Sequence, residues 1–110
     1  MQYDPSGPVA RGFALMDLHY PSWRPLVDLE TLDIADPTSC LLAQVGGGYD
    51  TGRDYLMDAN GYNGEERFAV AYGFDAPDRG DSEVYDGTYR ERCEALTLEW
   101  KRVITEARQG

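Results

Sequence analysis

Lysine, histidine and cysteine are nearly missing from this chain: Lys101 is the only lysine, His19 the only histidine, and Cys40 and Cys93 the only cysteines. The two cysteines lie far apart, and neither has a second Cys or a His beside it at zinc-ligand spacing, so a zinc site or a disulfide framework is not expected. With one histidine, any Ser-His-Asp or Cys-His nucleophile would have to be built around His19, and no surrounding pattern supports one. Its place just before Pro21 suits a helix C-terminus, where an imidazole interacts well with the last carbonyls. Both cysteines fall on apolar faces and read as small buried hydrophobes. Long apolar runs are missing as well. The longest, Phe68 to Tyr72, falls far short of the roughly 20 residues that span a bilayer. Met1 to Gly7 has neither a basic n-region nor an apolar h-region, so no secretory signal is expected and a cytoplasmic location is.

Negative charge is what the chain has in excess. Twenty Asp and Glu stand against ten Lys and Arg, a formal net charge of −10 over 110 residues. Charge of this size repels nucleic acid and anionic lipid and attracts basic protein surfaces, so neither direct nucleic-acid binding nor membrane binding is expected. All basic residues but Lys101 are arginine, which reads as a trace of GC-rich coding rather than as chemistry. The length allows one small domain. Its core would draw on eight Tyr, three Phe and two Trp, which bury much area per side chain.

The pattern predicts a mainly α, single-domain bundle of four to five short helices with a long C-terminal helix. Residues 1–7 read as a flexible lead-in and 8–110 as the acidic helical domain. Pro8 suits a first helical position, and Val9, Phe13, Met16 and Tyr20 follow on one face before Pro21 stops the helix, with Gly12 weakening it. Ser22 to Asp36 reads as a connector with one helical turn. Asp36 before Pro37 reads as a helix start, with Cys40, Leu41, Ala43 and Val45 as the apolar side. Gly46, Gly47 and Gly48 should end that helix with a left-handed cap, and Tyr49 to Met57 reads as another short one. Phe68, Val70, Tyr72 and Phe74 alternate as a strand would. Asn63 with Glu66 resembles a capping box, however, and Gly73 a helix stop, so helix is the expectation for 65–74. Tyr89, Cys93, Leu96, Trp100, Val103 and Ala107 form a sustained stripe that predicts the long last helix, with Asp86 and Glu91 near its start and Arg102 and Arg108 near its end, complementing the dipole.

Asp28-Leu29, Leu32-Asp33, Cys40-Leu41, Gln44, Gly47-Gly48-Tyr49, Ala71-Tyr72-Gly73-Phe74 and Leu96-Thr97 with Trp100 stand in an order that resembles small acidic proteins of actinobacteria and their phages. The similarity covers most of the chain from Leu26 to Ile104, and the matched residues are mainly apolar or glycine. The resemblance therefore implies a shared fold, and it brings no catalytic residue, cofactor or assigned activity.

Three features bear on chemistry. The triple glycine follows a helix rather than a strand and is trailed by Asp50 and Asp54 instead of Lys-Ser/Thr, so it reads as a turn and not a phosphate loop. The loop from Asp75 to Asp86 holds Asp75, Asp78, Asp81, Glu83 and Asp86, but its spacing does not fit the calcium-binding loop of an EF-hand, and no metal or other cofactor is assigned. Asp50, Asp54 and Asp58 would form a like-charged i, i+4, i+8 row on one helix, about 6 Å per step. Such pairs cost roughly 0.2–0.5 kcal/mol each, which suggests a surface kept for a basic partner. DNA carries one charge per about 1.7 Å, so the row could imitate a nucleic-acid backbone only locally.

These observations lead us to expect a non-enzymatic, phage- or prophage-type protein that binds a host protein with a basic surface, acting as a charge mimic or inhibitor. Asp50, Asp54, Asp58, Asp75, Asp78, Asp81, Glu83 and Asp86 are the expected binding residues. The alternatives are a carboxylate-cluster enzyme using a divalent metal, which ligand-dependent thermal stabilisation would reveal, and a self-associating structural protein with an exposed apolar patch.

Overall fold

The computed structural model describes residues 2–61, 64–77 and 87–109. Among them, five helices and one 3₁₀ turn run in order: α1 (Ser6–His19), the turn Arg24–Leu26, α2 (Leu41–Val45), α3 (Tyr49–Ala59), α4 (Glu65–Ala71) and α5 (Tyr89–Gln109). The fold is mainly helical, with no strand among the described residues and a long C-terminal helix, as the pattern predicts.

α1 starts two residues earlier than Pro8. Asp4 accepts from the Ser6 amide at 2.9 Å and from its hydroxyl at 2.7 Å, and the Pro5 carbonyl takes the Val9 amide at 3.0 Å. Pro8 then sits in the first turn, where its missing N–H costs nothing. The connector holds its expected single turn, which Arg108 ties to the end of α5 by donating to the carbonyls of Arg24 and Val27.

The helix expected from Asp36-Pro37 is displaced. Asp36 Oδ1 instead accepts from the Thr38 amide at 2.8 Å and the Thr38 hydroxyl at 2.7 Å, closing a turn, and α2 begins only at Leu41. An Asp side chain bonding two residues on competes with its use as a helix cap, and here the turn wins. The glycine run does end α2, with Gly47 at φ 80°. α3 and α4 cover the expected segments, α3 running on to Ala59 and α4 ending at Ala71. Helix is thus the outcome for the start of 65–74, whereas Asn63 of the expected capping box lies outside the described residues.

Helices α2 and α3 pack on each other, as do α1 and α5, α3 and α4, and α1 and α4. The buried side chains form one cluster built on the rings of Trp23 and Trp100, edge to face at 6.1 Å, with Phe74 stacked on Trp100 at 6.0 Å. Trp100 Nε1 donates to the Gly73 carbonyl at 2.7 Å, so the indole is buried without losing a hydrogen bond. Gly12, read from sequence as a weakness, is what lets α1 approach: a Cβ there would lie 2.0 Å from the Tyr72 carbonyl oxygen and 2.9 Å from Trp100 Cζ2. A second close approach sets α3 against α2, where a Cβ on Gly46 would fall 2.8 Å from Gly52 Cα. This contact fixes which face of α3 turns outward.

Candidate functional site

α3 buries Gly52 and Leu56. At 100° per residue, Asp50, Asp54 and Asp58 each lie two or more positions off that stripe and therefore on the opposite, exposed side. The row expected from sequence exists. It is not bare, because Arg53 reaches back to Asp50 at 3.3 Å and across to Asp54 at 3.2 Å while lying over the Tyr49 ring. The two aspartates remain largely in solvent, with side chains 80% and 63% exposed. Arg53 itself is only 14% exposed, but the two carboxylates keep most of their surface in water and stay open to a further cation. Asp50 stands in the first turn, where the helix dipole favours an anion. Asp58 stands in the last turn, where the dipole opposes it, no basic residue shares that turn, and no ion-pair partner exists for it among the described residues.

Asp75 departs from expectation. Its sequence position groups it with the acidic surface, but it is 5% exposed, and its Oδ1 accepts from the Tyr89 hydroxyl and from the Ala76 amide at 2.8 Å. It belongs to the packing at the start of α5 and presents no free face to a partner. Asp78, Asp81, Glu83 and Asp86 lie outside the described residues.

The two ends of that segment are nevertheless fixed by a residue sequence reasoning passed over. Arg92, 2% exposed, donates through Nε to the Pro77 carbonyl at 3.1 Å and through Nη1 to the Gly87 carbonyl at 2.9 Å. A planar fork of donors can satisfy two carbonyls at once, so the guanidinium clasps the chain on either side of residues 78–86. Only its position, one residue from Cys93 on the apolar stripe of α5, could have marked it as buried. Burial, then the bond to Asp75, pushes the Tyr89 phenol far above its ordinary range. The start of α5 carries a further signal that was legible and missed: Thr88-x-x-Glu91 is a capping box. Thr88 Oγ1 accepts from the Glu91 amide at 3.1 Å, and the Thr88 amide donates to Glu91 Oε1 at 3.2 Å.

The remaining reactive side chains are engaged structurally. His19 ends α1 as expected, edge to face with the Tyr55 ring at 6.1 Å and 3.4 Å from Asn60 Nδ2. Cys40 and Cys93 are free and buried, and burial raises both thiols, leaving them weak nucleophiles near neutral pH. Among the described residues no group of three or more His, Cys, Asp or Glu is arranged to hold a metal ion. No described helix is long and apolar enough to cross a membrane.

No family model, no curated protein and no solved structure matches the chain.

Proposed function

We propose that this protein acts by binding a partner protein through the acidic face of α3, without catalysing a reaction. The observation that carries the reading is Asp58: an exposed carboxylate placed at the unfavourable end of a helix dipole, in line with Asp50 and Asp54, with no cation to relieve it among the described residues. An arrangement that costs stability in the free chain is accounted for if a basic surface completes it. The net charge of −10 acts in the same direction by drawing in cationic surfaces and repelling phosphate. The segment 78–86, whose flanks Arg92 clasps, adds Asp78, Asp81, Glu83 and Asp86 to the same charge.

The partner class that fits is a basic protein that itself binds nucleic acid, with the α3 row standing in for a short stretch of phosphates. The resemblance to proteins of actinobacteria and their phages is what points to a host protein as that partner. The test is affinity capture from nuclease-treated actinobacterial lysate, with wild type and with the combined Asp50→Asn, Asp54→Asn, Asp58→Asn variant. A basic protein held by wild type, released by salt and not held by the variant supports the reading. Retention that ignores both salt and the substitutions would sink it.

A further inference from the structure

A second acidic surface, built from elements other than α3, sets an exposed aliphatic side chain among its carboxylates. The connector residues Glu30, Thr31, Leu32 and Asp33 and the outer face of α5 at Glu94, Thr97 and Leu98 line an open cleft of about 480 Å³. That volume is within the ~300–1,000 Å³ of pockets that bury a ligand's surface. Its apolar part is Leu32, which is buried, and Leu98, which is 68% exposed although it sits on a helix whose other leucine, Leu96, is fully inside. The Thr97 hydroxyl is committed to the backbone, accepting from the Ile34 amide at 3.0 Å and donating to the Cys93 carbonyl at 2.9 Å. Recognition in the cleft therefore rests on aliphatic contact and on the carboxylates of Glu30, Asp33 and Glu94.

No lysine or arginine is among these lining residues. Glu94 shares a pair with Arg90 at 3.7 Å, with side chains 66% and 86% exposed, which leaves it easily exchanged for another cation. A second copy of this chain would bring its own −10 against these carboxylates. Charge complementarity selects instead a cationic occupant, and Leu32 with Leu98 selects one that carries an aliphatic side chain.

We infer that the cleft between the 30–33 connector and α5 seats an aliphatic side chain flanked by arginine or lysine on a partner's peptide segment. The inference rests on the reading that the partner is basic, and it adds a side-chain preference that α3 alone does not provide. A synthetic peptide of repeated Arg-Arg-Leu and a control of repeated Arg-Arg-Ser, equal in charge, separate the two when titrated against the full chain by NMR. The leucine peptide binds about tenfold more tightly, about 1.4 kcal/mol, as expected when a leucine is buried in part, and shifts resonances at 30–33 and 94–98. Leu98→Ser, an exposed change that leaves the core intact, removes the preference while leaving the serine peptide's affinity unaltered.

Equal binding of the two peptides overturns the cleft and leaves the acidic-face reading standing. A preference that survives Leu98→Ser, or that disappears in the α3 triple variant instead, also overturns it. Failure of both peptides to bind at ~0.1 M salt counts against both proposals, because screening there still permits contact electrostatics. A concentration-dependent dimer abolished by Leu98→Ser would assign the cleft to a second copy and overturn the inference.

Discussion

Single residues decide how closely the helices of this chain approach. At Gly12 any side chain meets backbone, and backbone cannot move aside. We expect Gly12→Ala to lower stability by about 1–3 kcal/mol in urea denaturation, the usual range for overpacking, whereas Gly7→Ala on the same helix, whose Cβ would meet only the end of the Arg11 side chain, should be neutral or slightly stabilising. Arg92 is the other decisive residue. Replacing it by Met leaves the buried carbonyl of Pro77 without its donor, at about 1–3 kcal/mol, with a smaller loss at the exposed Gly87, and Lys should not rescue it because one ammonium lacks the fork geometry. Neither role was legible beforehand. Propensity scales count glycine in a helix as a defect, and only a tertiary neighbour 60 residues away in sequence, the Tyr72 carbonyl, turns it into a requirement. An arginine beside an apolar stripe likewise reads as surface until the two carbonyls it bonds, those of Pro77 and Gly87, are located.

Tyr89 adds a pH dependence at the same scale. Its phenol is raised above 10.0, the ordinary value, because burial and the Asp75 carboxylate favour the protonated form in the folded chain. Its contribution is therefore complete below pH 10.0 and declines as pH rises above it, when the unfolded chain ionises and the folded one does not. Urea midpoints measured from neutral to alkaline pH should fall more steeply for wild type than for Tyr89→Phe. Parallel curves would show that the phenol is not held in this way.

Helix identity was largely readable, because a 3.6-residue period sustained over α1 and α5 leaves no competing structure, and the glycine run punctuates α2 and α3. Helix starts were not. At Asp36 and at Thr88 the same kind of polar side chain faces two uses, a turn or a cap, and the next few residues decide between them. Pro37 with Thr38 favours the turn, and Glu91 completes the cap on α5. Thr88→Ala should cost about 1 kcal/mol by urea denaturation, while Asp36→Ala, which removes a turn bond and no helix cap, should cost less. On α3 the sign reverses. Asp58→Asn removes an anion from the negative end of a helix and should raise stability by about 0.3–1 kcal/mol while weakening partner capture; a loss of stability would show that Asp58 serves the fold.

For the whole molecule, a radius of gyration of 13.1 Å is that of a compact globule of about this length, and the core is organised around two tryptophans. Charge was legible from composition, yet its distribution was only half so. The α3 row emerged because helical spacing is arithmetic, whereas the burial of Asp75 depends on how the chain after α4 meets Tyr89 at the start of α5, and the carboxylate-rimmed cleft at Leu98 on how the connector lies against α5. On the proposed function, the exposed carboxylates of α3 recognise a basic protein. The most direct test is retention of nuclease-treated lysate proteins on the immobilised chain at ~0.1 M and ~1 M salt, where the screening length falls from about 10 Å to about 3 Å. A basic protein should be retained at the lower salt, released at the higher, and lost when Asp50, Asp54 and Asp58 become asparagine. A retained set unchanged by salt and by those substitutions would contradict it.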